Sequence, residues 1–150
     1  MKNKDSYYKL TDTLLFYLEH AARLSRISAM HYFEENPDIS ISYNDFSIID
    51  SIYLNPEIHQ RDLSKLLGKD TANLSRDLDR LEKQGFIVRS VDTKGKRIVK
   101  KIVLSEQGHN LRNNIACIAS SHVQQIESVF TNKEKLQFKE YIQRLEDSLK

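Results

Sequence analysis

The fold of this chain is decided by residues 59–104, which read HQRDLSKLLGKDTANLSRDLDRLEKQGFIVRSVDTKGKRIVKKIVL. The first apolar segment meets a turn at Gly68. Leucines then recur at Leu74, Leu78 and Leu81, the i, i+4, i+7 spacing of one helix face. After that helix the pattern changes to two β-branched runs joined by a Lys-Gly-Lys-Arg tip. This order predicts a helix-turn-helix followed by a β-hairpin wing, an arrangement that reads DNA.

The remainder of the chain is predicted to be helical. With 4 Gly and 2 Pro in 150 residues, long uninterrupted helices are favoured. Caps, prolines and glycines set the expected boundaries of the first four helices: about Tyr7 to Glu35, ended by Asn36-Pro37; a second capped by Ser42 and ended by Asn55-Pro56; a third from near His59 to Gly68; and a fourth capped by Asp70 or Thr71 and ended at Gln84-Gly85. The hairpin strands are expected at Phe86–Val91 and Ile98–Leu104, with Gly95 at the tip. Ser105 is expected to cap a fifth helix, and a capping box at Thr131 to open a sixth.

The two C-terminal helices carry long apolar stripes. The fifth helix presents Leu111, Ile115, Ile118, His122, Ile126 and Val129, and the sixth presents Phe138, Ile142, Leu145 and Leu149. Helices with such seams usually pack on other helices. The predicted partners are each other and a second copy of the chain, and a bundle within one chain is the alternative.

The positive charge is concentrated on the predicted reading module. Residues 61–101 hold 12 Lys and Arg against 6 Asp and Glu, a net of +6, whereas the rest of the chain has a net of −4. A local basic patch is typical of phosphate binding, and this one coincides with the helix-turn-helix pattern. It therefore favours a nucleic-acid partner over a merely solvated charged face.

Polar residues at the start of the fourth helix are candidates for the major groove, and the wing tip is a candidate for the minor groove. Arg76 could form a bidentate contact with guanine and Asn73 could pair with adenine. We expect Asp79 to pair with Arg76 or Lys83, and Asp92 to hold Arg97 or Arg89. The full predicted DNA-binding set is Arg61, Lys69, Thr71, Asn73, Ser75, Arg76, Arg80, Lys94, Lys96 and Arg97.

Other classes of function find little support. The chain lacks a phosphate-cradling glycine loop and a nucleophile elbow, so no enzyme is predicted. Cys117 has no Lys or Arg one helical turn away and is interpreted as structural, with redox sensing as the alternative. No cofactor or metal is predicted; a zinc site could form only if the helix ends carrying His31, Glu34 and Glu35 met those carrying Glu106 and His109.

The cellular setting follows from similar absences in the sequence. A single cysteine rules out an internal disulfide framework. No apolar run approaches the roughly 18 residues of a membrane span, and the first residues have no apolar signal core. We therefore expect a cytoplasmic protein with no membrane partner.

The chain resembles the MarR family of bacterial transcriptional regulators. The resemblance lies in residues 60–64 and 73–89, in the wing residues Asp92, Lys96 and Arg97, and in residues 104–108. It implies an obligate homodimer joined through the first, fifth and sixth helices. It also implies a palindromic promoter site and release by a small phenolic or other ligand in a cleft between the dimer and reading regions. Tyr17, His20, Arg23 and Tyr43 are the candidates for lining that cleft.

Two features depart from the pattern of the family. Peroxide-sensing relatives carry a cysteine early in the first helix, where this chain has none. His59 stands where relatives often place a Thr or Ser cap, so the start of the third helix is expected to be less well capped.

The sequence therefore predicts a mainly α-helical winged helix-turn-helix protein with a small hairpin. One MarR-like domain spans 1–150, with dimerisation helices at 7–36 and 105–149 and a DNA-binding region at 42–104. The predicted function is that of a sequence-specific, dimeric repressor. The alternatives are a metal- or redox-responsive regulator of the same fold, and a winged-helix module that binds protein and not DNA.

Overall fold

A computed structural model describes residues 9–94 and 97–149, with side chains for 9–91 and 100–149. A short 3₁₀ turn, Leu10–Asp12, precedes the main elements. These are α1 (Leu14–Glu35), α2 (Tyr43–Leu54), α3 (Gln60–Leu67), α4 (Thr71–Lys83), β1 (Ile87–Lys94), β2 (Arg97–Leu104), α5 (Glu106–Glu127) and α6 (Asn132–Ser148). The predicted fold class, a mainly helical winged helix-turn-helix with one hairpin, is confirmed.

The start of the first helix differs from the prediction. Thr13 has an extended backbone, and its side chain accepts a hydrogen bond from the Phe16 amide. A threonine cap of this kind satisfies an amide that the helix leaves free, and it competes with continuation of the helix. α1 therefore begins at Leu14, so the predicted helix is not continuous through Thr13; Tyr7, its expected start, lies outside the described residues. Its end at Glu35, before Asn36-Pro37, is as predicted.

The other helix boundaries follow local capping chemistry. The Ser42 side chain accepts from the Asp45 amide and opens α2. Asp70, rather than Thr71, caps α4 by accepting from the amides of residues 72 and 73. Gly68 ends α3 in the left-handed conformation, with φ of 58°. His59 precedes α3 without a side-chain cap bond, as expected for this residue type.

The wing is an antiparallel pair that is longer than predicted. Its register pairs Ile87 with Leu104 and Lys94 with Arg97. The backbone pairing of the two strands thus continues beyond Val91 to Lys94, because cross-strand hydrogen bonds do not require apolar side chains. The segment before α3 joins the base of the wing, where the Ile102 amide donates to the Ile58 carbonyl at 3.0 Å.

One apolar core lies beneath the helix-turn-helix and the wing. It draws on α2, α3, α4 and both strands, and its members are Ile48, Ile49, Ile52, Leu63, Leu74, Leu78, Leu81, Ile87 and Ile102. The predicted leucine stripe of α4 is therefore fully buried. Its burial leaves the opposite side of α4 open to solvent.

The chain divides into two compact units between Arg112 and Asn113. In the second unit, the capping box at Thr131 and Glu134 opens α6 as predicted. α6 exposes several large apolar side chains, among them Leu136, Phe138, Tyr141 and Leu149. None of the helices that the structure describes combines the length and apolar character of a bilayer span.

Candidate nucleic-acid interface

The turn between α3 and α4 is stabilised by hydrogen bonds between its two ends. Ser64 is buried, and its hydroxyl donates to the Lys69 carbonyl at 2.7 Å. The Lys69 amide in turn donates to the Ser64 carbonyl at 3.0 Å. Gly68 supplies the left-handed residue that this tight turn requires. The N-terminus of α4 is thus presented on a rigid turn.

The polar face predicted for DNA contact lies at the start of α4. Thr71, Asn73 and Arg76 are exposed, and Ser75 is half-buried. Arg61 is exposed on α3. The buried Leu74 lies on the opposite side of α4 and orients this face outward. A helix N-terminus with short polar side chains and one free-standing arginine suits both phosphate and base-edge contacts.

Two of the predicted DNA-binding cations, Lys69 and Arg80, form ion pairs with carboxylates. Lys69 lies 3.0 Å from an Asp77 oxygen and also donates to the Asn44 side chain. Arg80 pairs with Asp77 at 3.0 Å and with Asp45. The sequence reading missed this cluster, since its partners come from α2, the turn and α4. The one local signal was the i, i+3 spacing of Asp77 and Arg80.

The cluster shifts the titration of its central carboxyl. Burial by itself would raise the pKa of Asp77, but hydrogen bonds from Lys69 and Asn44 and the charge of Lys69 outweigh it, and the pKa is lowered. Asp77 is therefore ionised at neutral pH and holds its donors as a charge-assisted acceptor.

A second ion-pair cluster ties the wing to α4. Arg89 of β1 donates through Nε to Glu82 at 3.0 Å and through its amide to Glu82 at 3.2 Å. Its guanidinium also reaches Asp79 at 2.7 Å. The expected pairing of Asp79 with Arg76 or Lys83 is therefore wrong, because Arg89 on the strand approaches it from outside the helix. This contact fixes the wing root against the second half of α4.

Glu82→Gln should weaken this clamp in a pH-dependent way. The hydrogen bond from Arg89 lowers the pKa of Glu82 against the opposing effect of burial. A carboxyl with a lowered folded-state pKa stabilises the fold above its unfolded value, and that contribution is lost as the pH falls. We expect a loss of about 1 kcal/mol at pH 7, reduced for this half-exposed pair. The loss should shrink toward zero below about pH 4.

Urea unfolding of both proteins across pH 3–7 measures this difference. Glu127→Gln is a matched control, because its ion pair with Lys135 lies on the more exposed surface of the second unit, at 3.1 Å. An equal effect of Glu82→Gln at pH 3 and pH 7 would show that its ionisation is not what stabilises the wing.

The predicted wing-tip contacts fall largely outside the described structure. Lys94 and Arg97 form the last backbone pair of the hairpin. Their side chains and that of Asp92, like Gly95 and Lys96 as a whole, lie outside the described residues. Roles for Lys94, Lys96 and Arg97 on DNA remain predictions from the sequence.

A cavity of about 470 Å³ lies between the second half of α1, the start of α2 and the α3–α4 turn. Its wall is mostly apolar and includes Phe33, Tyr43 and Leu67, with Lys69 at the edge. Of the four residues predicted to line a ligand cleft, the structure brings Tyr43 to this cavity. Tyr17, His20 and Arg23 lie earlier on α1, where Arg23 donates to the His20 ring at 2.9 Å.

The structure also locates the residues of the metal and redox alternatives. Within residues 9–91 and 100–149, no three His, Cys, Asp or Glu side chains gather into a group that could hold a metal ion. The ring of His109, one member of the conditional zinc group, instead meets the edge of Tyr53 at 5.8 Å between centroids. Cys117 is exposed on α5 and forms no disulfide.

This arrangement is a winged helix-turn-helix: the capped helix α4 follows a rigid turn, with a clamped wing beside it. Residues 41–99 match the model of the MarR family. The uncharacterized HTH-type transcriptional regulator YybA of Bacillus subtilis (strain 168) is 29% identical over 101 residues, which is 67% of this chain and 67% of that protein. Over these residues the chain is similar to the MarR family.

Two solved structures share the fold. MarR of E. coli in its apo form is 20% identical with a TM-score of 0.72, covering 89% of this chain and 96% of that one. MepR of S. aureus in a complex with DNA is 22% identical with a TM-score of 0.71, covering 92% and 99%.

Proposed function

We propose that this chain is a repressor that binds a pseudo-palindromic promoter site as a homodimer. The observation that carries the proposal is the exposed polar face of α4, with Thr71, Asn73 and Arg76 beside a rigid turn. A recognition helix of about this length fits the major groove. Two copies related by a two-fold axis would read half-sites about 10 base pairs apart.

The assignment of DNA contacts separates into reading and phosphate binding. Arg76 is the proposed base reader, with Asn73 and Ser75 beside it. Arg61 and Thr71 are proposed to contact the backbone, together with Lys94, Lys96 and Arg97 of the wing. The net of +6 over residues 61–101 supports this electrostatic footprint. This positive charge also favours DNA as the partner over the alternative, in which the module binds another protein.

The proposed homodimer is supported by large apolar side chains that are exposed to solvent in each unit. In the second unit, Val129, Leu136 and Leu149 are 76%, 66% and 70% exposed. In the first unit, Leu10 and Leu14 are 70% and 83% exposed. Large exposed apolar residues such as these are typical of surfaces that pack on a partner. The second copy of the chain is the partner that the family resemblance implies.

Release by a small effector is the final part of the proposal. The cavity of about 470 Å³ is within the size range of small-molecule sites. It reaches Lys69 in the turn before α4, so an occupant would lie close to the recognition helix. We propose that a bound ligand lowers affinity for the promoter site.

Arg76→Ala tests the reading assignment. A bidentate contact with guanine contributes roughly 1–3 kcal/mol of discrimination. We expect about that loss on the preferred sequence and a relaxed choice at one base position. The measurement is competition binding against single-base variants of a site selected from genomic fragments, repeated at several salt concentrations.

Two further variants serve as references. Lys83→Ala removes one exposed charge from the other end of α4 and should leave the sequence preference intact. Arg97→Ala should weaken all sequences evenly and lower the salt dependence by about one phosphate per site. If Arg76→Ala weakens every sequence equally, Arg76 contacts phosphate and does not read a base. If the unaltered protein shows no preference among sequences, the proposed function is wrong.

A further inference from the structure

We infer that five side chains, Asn44, Asp45, Lys69, Asp77 and Arg80, form a positioning network that fixes the rotation of α4, and that Lys69 and Arg80 act through it and not on DNA phosphates. The inference rests on the proposed function, since it concerns how α4 is held for reading. It changes the roles of two residues that charge alone assigns to DNA.

The network joins three separate elements at one carboxylate. Asp77 of α4 accepts from Lys69 at 3.0 Å, from Arg80 at 3.0 Å and from the Asn44 amide at 3.3 Å. Lys69 also donates to the Asn44 oxygen, so these two side chains hold each other as well as Asp77. Arg80 continues to Asp45 in the first turn of α2. The contacts therefore run from α2 through the turn to α4.

Burial and charge set this network apart from a surface ion pair. The side chains of Lys69, Asp77 and Asp45 are only 20%, 17% and 12% exposed, whereas that of Arg80 is 47% exposed. Two cations face two anions, so the network adds no net charge to the DNA-facing surface. Lys69 could bind a DNA phosphate only if its hydrogen bonds to Asp77 and Asn44 were broken. The shielded Asp77 carboxylate would then lose a donor, which is energetically costly.

The apolar core does not by itself fix the rotation of α4 about its axis, because it makes no directional contacts. Leu74, Leu78 and Leu81 anchor α4 to the core, but apolar packing is non-directional and resists rotation about the helix axis weakly. Hydrogen bonds to a carboxylate are directional. Side-chain tips lie roughly 5–6 Å from a helix axis, so a rotation of about 10° moves a reading side chain by about 1 Å. A shift of that size is enough to spoil a bidentate base contact.

Asn44→Ala is the decisive variant, because it removes two hydrogen bonds of the network without changing any charge. Binding of the full-length chain is measured by fluorescence anisotropy on a selected pseudo-palindromic duplex and on a scrambled duplex, from 50 to 300 mM KCl. We expect Asn44→Ala to weaken the selected duplex about threefold, and Lys69→Met and Asp77→Asn to weaken it about tenfold. The scrambled duplex should be bound as before, and the salt slope should be unchanged.

Three comparisons complete the design. The double variant Lys69→Met/Asp77→Asn should be no weaker than either single variant, since both remove the same contact. Lys69→Arg should retain discrimination because it keeps a cation at Asp77. Lys65→Met, at an exposed lysine on α3, is the control for simple loss of charge. Thermal unfolding of each variant confirms that binding is compared between folded proteins.

The competing outcomes are distinct. If Lys69→Met weakens both duplexes equally and lowers the salt slope by about one per protomer, Lys69 is a phosphate contact and the inference is overturned. Tighter binding of both duplexes by Asp77→Asn would also overturn it, because Asp77 would then act only by repelling DNA. Unchanged discrimination in Asn44→Ala has the same consequence. If the unaltered protein does not discriminate between the duplexes, the proposed function fails together with the inference.

Discussion

A chain that ends at Phe130 is expected to be a monomer and to lose binding to the proposed promoter site. The lost segment carries α6 and its C-cap, and its Leu136, Phe138 and Leu149 are 66%, 50% and 70% exposed. If these side chains pack on a second chain, their removal dissociates the dimer, and the two copies of α4 are no longer linked. Losing one of two linked binding events lowers affinity by about 10²- to 10⁴-fold. Sedimentation velocity measures the assembly, and anisotropy on the two-half-site duplex measures the binding.

A point variant separates dissociation from unfolding. Phe138→Glu places a charge on α6 of the full-length chain, at a residue that is half-exposed and stacks on Phe130 at 6.0 Å. It should also yield a monomer of normal helical content by circular dichroism. Lys139→Glu, at the neighbouring exposed position, should remain a dimer. A chain ending at Phe130 that still sediments as a dimer and binds the duplex would exclude α6 from the interface.

The elements that the sequence predicted well are those decided by local chemistry. The caps at Ser42, Asp70 and Thr131 each need two groups within three residues, so a short stretch specifies them. The leucine stripe of α4 is similarly local, and its burial follows from its 3.6-residue period. The first helix began later than expected because Thr13 offered such a cap after Tyr7.

The features that the sequence did not predict depend on residues far apart along the chain. Asn44 lies 33 residues from Asp77, and Arg89 lies 10 from Asp79, so no periodicity relates them. A basic residue next to a recognition helix is predicted to bind phosphate, because sequence shows its charge and not its partner. Lys69 and Arg80 were assigned in that way, and only the packing of α2 beside α4 shows the carboxylates that hold them.

Gly108→Ala should destabilise the first unit by about 3 kcal/mol. A Cβ atom at Gly108 would stand 2.0 Å from the Phe86 carbonyl oxygen and 3.0 Å from its carbon. Both are backbone atoms, and the same oxygen accepts from the Ser105 amide at 3.0 Å. Relief therefore requires the first turn of α5 to move away from the start of the wing. Thermal unfolding should show a midpoint lowered by roughly 6–12 °C.

Gly68→Ala supplies the matched comparison, since its added Cβ would meet nothing within 4 Å and only the left-handed φ of 58° opposes it. That strain costs about 1 kcal/mol, so Gly68→Ala should be the milder change. The two variants also differ in their effect on binding. Phe86 follows α4 after Gln84 and Gly85, and its amide donates to the Leu81 carbonyl at 3.0 Å. Displacing Phe86 therefore disturbs the joint between α4 and β1, and promoter affinity should fall even below the melting transition. A Gly108→Ala protein as stable as the unaltered chain would mean that α5 and the wing root are not in the close contact on which this argument depends.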